Sequence, residues 1–127
     1  MSYYMYMIKV GRYTEQFNDI LGIRAEEKDI FMSSGLVTHM IKRNHQNCLK
    51  YVDCISDIIE KPDFIGVNPN EKEKFSMELI KCYADNVLVG IKLDQEGDYL
   101  YVATMHEVSE SKIKRRLHSG RIRKCGN

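Results

Sequence analysis

The sequence predicts a single α+β domain in which N-terminal helices pack on one face of an antiparallel β-meander sheet, followed by a short basic C-terminal helix. Three observations support this prediction. The length of 127 residues suits one domain, helical periodicity runs through residues 34–60, and strand-like runs separated by turn residues occupy residues 64–106. We therefore treat residues 1–127 as one domain.

The N-terminal part of the chain predicts one strand and two helices. Residues 3–10 are rich in aromatic and β-branched side chains and predict a strand that stops at Gly11, whereas residues 14–29 show no clear period and are expected to be irregular, with at most a helical turn. A helix is expected after Ser34 as its N-cap. Its apolar stripe is Leu36, Val37, Met40 and Ile41.

A second helix is expected up to Glu60, where Pro62 would stop it. Apolar residues recur in it at helical spacing, at Cys48, Tyr51, Val52, Ile55, Ile58 and Ile59. Beyond it, residues 64–67 predict a short strand and residues 68–74 a polar loop.

The meander is expected over residues 75–84, 87–93 and 98–106, with Asp85-Asn86 as a two-residue hairpin turn. The register that follows from this turn places one apolar set on a single face, with Thr104 and His106 at its end. That set is Ile80, Cys82, Val89, Ile91, Leu100 and Val102.

The C-terminal helix is expected over residues 110–118, capped by Ser109, anchored by Ile113 and Leu117, and stopped by Gly120. The net charge of +1 hides an uneven distribution, because residues 107–127 hold seven Lys and Arg against two Glu. Such a basic end commonly meets phosphate, although it can also be a solvated, solubilising tail.

Composition and motifs exclude several classes of function. A hydrophobic fraction of 43% and a charged fraction of 29% are ordinary for a soluble globular protein, and no apolar run approaches a membrane span. The four cysteines form no C-x-x-C pair, so we expect reduced, mostly buried thiols and neither a metal site nor a cofactor. The nucleotide-binding, zinc-protease and hydrolase motifs are absent. No basic leader or cleavage site precedes residue 10, so delivery to a cytoplasmic site of action would need another module.

The first candidate catalytic group is His39, which lies off the apolar stripe and shares a polar helix face with Lys42 and Arg43. Two adjacent cations lower the proton affinity of an imidazole, which suits a general base. His45 would converge with His39 only if the helix ended at Asn44 in a left-handed conformation. Two histidines and two cations supply what metal-independent RNA transesterification needs, namely a base, an acid and positive charge. The alternative is a solvated helix face.

Thr104 and His106 alternate on one strand and therefore point the same way. A threonine hydroxyl could bind a phosphate oxygen, and His106 could share acid–base work or only position the substrate. The alternative is a sheet-end threonine satisfied by backbone and a histidine at the rim. Sequence-independent attraction of phosphate would come from the basic run 112–116, chiefly Lys112, Arg115 and Arg116, together with Arg121, Arg123 and Lys124.

Three stretches together resemble the phage-associated branch of the barnase/EndoU/colicin/RelE-like (BECR) nucleases. They are SSGLVTHM (residues 33–40) with His45, IIEKPDFIG (58–66), and YVATMH (101–106) followed by SKI (111–113). The resemblance covers roughly residues 33–124.

The resemblance implies an endoribonuclease that acts on tRNA or other structured RNA and leaves a cyclic phosphate. It also implies a cognate immunity protein if the chain is a delivered toxin. His39, His45 and Thr104 match the active-site pattern of the family, whereas His106 stands where the family more often has an aromatic residue.

Two other classes of function remain open at this stage. One is a non-catalytic RNA-binding or phage accessory module in which His39 and Thr104 merely position phosphate. The other is a protein-interaction domain. Its contact surface would be an uncovered apolar patch formed by Leu79, Leu88, Tyr99 and Tyr101.

Overall fold

The computed structural model describes residues 6–68 and 75–126, and these form a mixed α+β fold around a seven-stranded sheet. The strands are β1 (Met7–Tyr13), β2 (Lys28–Ser33), β3 (Phe64–Val67), β4 (Ser76–Cys82), β5 (Asn86–Asp94), β6 (Tyr99–Glu107) and β7 (Ile122–Lys124). The helices are α1 (Glu15–Leu21), α2 (Leu36–Lys42), α3 (Ile55–Glu60) and α4 (Glu110–Ser119), with a 3₁₀ helix over Gln46–Cys54. Residues 3–5 of the first predicted strand and 69–74 of the predicted polar loop lie outside the described residues.

The strand order is β1-β2-β6-β5-β4-β3-β7, and the pairing of β2 with β6 is parallel. The prediction of a purely antiparallel sheet is therefore wrong. The cause lies in residues 14–29, which were expected to be irregular and instead contain α1 and the start of β2. The basic C-terminal end also differs from the expected tail, because β7 pairs with β3.

The sheet separates two apolar clusters. The face here called the helix face carries residues such as Met77, Leu79 and Val89, which pack with buried side chains of α1, α2, the 3₁₀ helix and α3. The opposite face, here called the α4 face, carries Ile80 and Leu88, which pack with side chains of and around α4. Leu79 and Leu88 are almost fully buried, so the predicted apolar contact patch is wrong.

The register of β4 with β5 differs from the prediction. Cys82 pairs with Asn86, so the hairpin loop has three residues, 83–85, instead of the two-residue turn. A tertiary contact accounts for this loop, because Asp85 accepts a hydrogen bond of 2.8 Å from the Tyr51 hydroxyl and forms an ion pair with Lys50. The shift moves Ile80 to the α4 face and Cys82 off the predicted core face.

A β-bulge in β6 changes the predicted face of the site residues. Gly90 pairs with Thr104 and Ile91 pairs with Val102, which leaves Ala103 as an extra residue. A bulge inverts the alternation of side chains along a strand. Thr104 and His106 still share a face as predicted, but it is the α4 face and not the face of Val102.

Most helix boundaries agree with the sequence patterns, but the buried apolar stripes of the helices are narrower than predicted. In α2, Leu36 and Met40 are buried, whereas Val37 and Ile41 are exposed. Ser34 does not cap α2, since the N-cap position is held by Gly35 without a side-chain hydrogen bond. The second predicted helix begins as a 3₁₀ helix and ends at Glu60 before Pro62 as expected.

The C-terminal helix α4 and the first strand β1 agree with the predictions only in part. The Ser109 hydroxyl caps α4 by accepting a hydrogen bond from Lys112 N, and Gly120 ends the helix in a left-handed conformation, as predicted. Leu117 is 36% exposed and does not anchor the helix. Strand β1 continues through Gly11, where a Cβ atom would lie 2.7 Å from Ile59 Cγ2, so the glycine permits close helix approach and is not a strand end.

Candidate active site

The C-terminal end of α2 turns the chain back towards the sheet. Asn44 has a φ of 61°, in the left-handed region, as the sequence predicted. The backbone N–H of Asn44 donates to Ile41 O over 3.1 Å and that of His45 donates to Met40 O over 2.8 Å. These two bonds are those of a Schellman motif, which satisfies the last carbonyls of a helix. The motif holds His45 over the end of α2.

This turn brings His45 to the end of β6. The rings of His45 and His106 lie with their centroids 5.2 Å apart and their planes at 46°. His39, on the last turns of α2, is near enough to act electrostatically on His45. Two of the four predicted catalytic residues are thus in ring contact, and a third, His39, lies near enough to influence His45.

The backbone fixes the tautomer of His106. Its Nδ1 lies 2.9 Å from the carbonyl oxygen of Glu107. A carbonyl oxygen can only accept a hydrogen bond, so Nδ1 must carry a proton for this bond to form. Nε2 is then the nitrogen of His106 that is left without this backbone partner.

His45 is held in its neutral form. Burial lowers its pKa from the usual 6.5, and the positive charges of His106, His39 and Arg43 lower that pKa further. Its Nδ1 atom is buried and, among the described residues, has no hydrogen-bond partner. Native proteins rarely leave such an atom unpaired. An unpaired ring nitrogen beside a second imidazole is a feature expected of a functional site.

A cavity of about 210 Å³ opens at this histidine pair. Its lining is Asn44, His45, Asn47, Cys48, His106 and Glu107. Cys48 is a free thiol, and burial raises its pKa to about 11. The thiol is therefore protonated at neutral pH, which excludes it as a thiolate nucleophile.

Thr104 lies two residues before His106 on the same face of β6 and does not line this cavity. Its partner on β5 is Gly90, where a Cβ atom would approach Thr104 Cγ2 to 2.9 Å. The missing side chain at residue 90 gives Thr104 room to lean across the neighbouring strand. The Cα atoms of Thr104 and His106 are about 7 Å apart at normal strand rise.

Comparison with known proteins identifies the family. Residues 8–115 match the sequence pattern of the family described as phage-Barnase-EndoU-ColicinE5/D-RelE like nuclease3. The chain belongs to this nuclease family. The match begins before the stretch in which the resemblance was recognised, and it includes β2. No curated protein and no solved structure matches the chain.

The predicted substrate-binding cations of this BECR-like nuclease are only partly assembled around the histidines. Arg43 acts on the pKa of His45, whereas Lys42 is exposed at the end of α2. Lys112 and Arg115 are exposed on α4. Arg116 has a partner within the protein, because its Nη1 atom lies 3.5 Å from Glu78 Oε2.

Sequence reasoning missed two acidic residues of the nuclease. No role was predicted for Glu107, although its backbone carbonyl orients the neighbouring His106. No role was predicted for Glu78 either, although it is 8% exposed and ion-paired. The partners of Glu78 are Arg116 and Arg121, which are distant in sequence, so its ion pairs could not be found without the fold.

Larger cavities of the nuclease lie elsewhere. One of about 570 Å³ is formed by α1, the end of α3 and the chain after β7, and it includes Cys125, whose pKa is raised to about 11 by burial. Among the described residues that line it, none is a histidine and none has an unpaired buried polar atom. In the part of the chain that the structure describes, no three His, Cys, Asp or Glu side chains are grouped to hold a metal ion, and no helix has the length and apolarity to cross a membrane.

Proposed function

We propose that this nuclease is a metal-independent endoribonuclease that cleaves RNA by transesterification, with tRNA or another structured RNA as its substrate. The observation that carries the proposal is the His45–His106 pair, in which one imidazole is kept neutral and the other has a fixed tautomer. Such a pair provides a proton acceptor and a proton donor a few ångströms apart, as general acid–base catalysis requires.

The proposed reaction begins at the ribose 2′-hydroxyl. His45, neutral at pH 7, takes the hydroxyl proton while the 2′-oxygen attacks phosphorus. The bond from phosphorus to the 5′-oxygen breaks, and protonated His106 donates its Nε2 proton to that oxygen. The products are a 2′,3′-cyclic phosphate and a free 5′-hydroxyl, and the two histidines have exchanged protonation states.

Positive charge and a hydroxyl complete the proposed site. Arg43, and His39 when it is protonated, place positive charge beside the developing phosphorane, where such charges stabilise the transition state. The Thr104 hydroxyl would donate a hydrogen bond to a non-bridging phosphate oxygen. Lys42, Lys112, Arg115 and Arg116 would attract the rest of the polyanion, as the sequence suggested.

The deciding experiment measures RNA cleavage by the purified chain in the presence of a chelator. We expect 2′,3′-cyclic phosphate ends, and loss of cleavage by at least a hundredfold in His45→Ala and in His39→Ala. His118→Ala is the matched control, because His118 is exposed on α4. Equal cleavage by the wild type and both variants would refute the assignment, and RNA binding without any product would support the binding module instead.

Thr104→Val tests the phosphate contact separately. The substitution keeps the β-branched shape and removes only the hydroxyl, so the fold should be retained. We expect a lower cleavage rate with little change in the thermal unfolding midpoint.

The role as a toxin with a cognate immunity protein is also a proposal, supported by the family. Expression of the chain in the bacterial cytoplasm should arrest growth, and His45→Ala should abolish the arrest. Growth arrest by both proteins equally would show that toxicity is independent of this site.

A further inference from the structure

A buried carboxylate that the proposed reaction does not use lies on the α4 face. Glu78 is the one buried charged side chain among the described residues. Arg121 donates to its Oε1 from Nε over 3.2 Å and from Nη2 over 2.9 Å, and Arg116 approaches its Oε2. A buried carboxylate needs one cation to balance it. This cluster holds two and keeps a net charge of +1.

The sheet register places this cluster in line with Thr104. Glu78 pairs with Gly90 on β5, and Gly90 pairs with Thr104 on β6. With strands about 4.8 Å apart, the Cα atoms of Glu78 and Thr104 are separated by roughly 10 Å. Within 4 Å, a Cβ atom at Gly90 would meet only Thr104 in the described structure. At residue 90, no side chain therefore separates the cluster from Thr104.

The two guanidinium groups are oriented but not saturated. Each arginine has five N–H donors. The hydrogen bonds to Glu78 use one donor of Arg116 and two of Arg121, and the two arginine side chains remain 15% and 25% exposed. Guanidinium groups bind phosphate in a bidentate manner, and groups already held in place lose less entropy on binding.

The surroundings favour a polyanion as the ligand. Exposed cations flank the cluster on α4 and β7, namely Lys112, Lys114, Arg115 and Lys124. We propose that Arg116 and Arg121, braced by Glu78, form a phosphate subsite for the RNA. The subsite binds a phosphodiester next to the scissile one, and in this it rests on the proposed function, which places the scissile phosphate at Thr104 and the histidines.

Binding to a fluorescent 2′-O-methyl RNA oligonucleotide tests the subsite without cleavage, because the attacking hydroxyl is blocked. We expect Arg121→Gln to weaken binding about tenfold and to lower the slope of log affinity against log salt by about 0.7, the loss of one phosphate contact to a single strand. Arg24→Gln is the matched control. Arg24 is exposed in the loop between α1 and β2, and its substitution should change neither quantity.

A second variant separates binding from folding. Glu78→Gln keeps an oxygen that can accept from Arg121 but removes the negative charge, so RNA should bind several-fold more tightly while the thermal unfolding midpoint falls. Loss of fold cannot produce tighter binding. Unchanged affinity in both Arg121→Gln and Glu78→Gln would overturn the subsite and leave an ion pair that holds α4 and β7.

The subsite and the proposed function fail in different ways. If the wild type cleaves no RNA but the two binding changes occur as expected, the phosphate subsite is supported and the nuclease mechanism is refuted. If His45→Ala abolishes cleavage and neither cluster variant affects binding, only the subsite is overturned.

Discussion

Replacing Asn44 by alanine removes the residue that lets α2 end in a left-handed conformation. The positive φ of 61° crowds the Cβ atom of most residues, at a cost of about 1–2 kcal/mol, whereas asparagine tolerates it and glycine has no Cβ. For a domain of this size, 1 kcal/mol corresponds to about 4 °C in Tm. We expect Asn44→Ala to lower Tm by about 4–8 °C and Asn44→Gly to leave it within about 2 °C.

The effect on activity should exceed the effect on stability. If residue 44 leaves the left-handed region, the bond from His45 N to Met40 O is lost and the His45 ring moves away from His106. A misplacement of about 1 Å can cost a catalytic site on the order of a hundredfold in rate.

The assay is RNA cleavage under single-turnover conditions at a temperature where both variants are folded. Asn44→Ala should be impaired and Asn44→Gly should cleave at nearly the wild-type rate. Wild-type Tm and rate in the alanine variant, or equal impairment in the glycine variant, would refute the claim that this backbone conformation positions His45.

Three further predictions concern stability. The pKa of His45 is lower in the folded state than in the unfolded chain, so the unfolded chain binds the proton at a higher pH. The free energy of unfolding should therefore fall as pH drops below 6.5. Urea unfolding of His45→Gln should show a shallower fall. Met40→Ala should cost about 2–5 kcal/mol because its side chain is fully buried, whereas Ile41→Ala, at 49% exposed, should cost less than about 1 kcal/mol. Gly66→Ala would place a Cβ atom against Arg121 O, so β7 should detach, seen as faster amide exchange there.

Several local features in and around the site could be predicted from the conformational preferences of single residues. The left-handed end of α2 could be foreseen because asparagine is one of the few residues that adopt this conformation readily. Ser109 and Gly120 bound α4 for similarly local reasons. These features depend on a few consecutive residues, so the sequence contains nearly all the information that determines them.

Strand register could not be predicted in the same way. The loop before β5 is set by Tyr51 and Lys50, which lie more than 30 residues before Asp85. The bulge at Ala103 leaves no distinctive composition in the sequence. Each changes side-chain alternation, which has a period of two, so a small shift moves residues to the opposite face. This is why Thr104 and His106 were assigned to the wrong face of the sheet, although the prediction that they share one face was right.

The parallel pairing of β2 with β6 explains why a site forms where it does. The two strands pair only through Ile30 and Phe31 on β2, since Met32 and Ser33 pair with β1 alone before the chain enters α2. On the side away from β5, the end of β6 that carries His106 is therefore flanked by α2 and not by another strand. Met40 links the hydrophobic core to the histidine site. Its side chain is fully buried in the core, and its carbonyl accepts the hydrogen bond from His45 N. Core packing of α2 and the position of His45 are thus coupled at Met40, and a core substitution there should disturb the histidine pair before it unfolds the sheet.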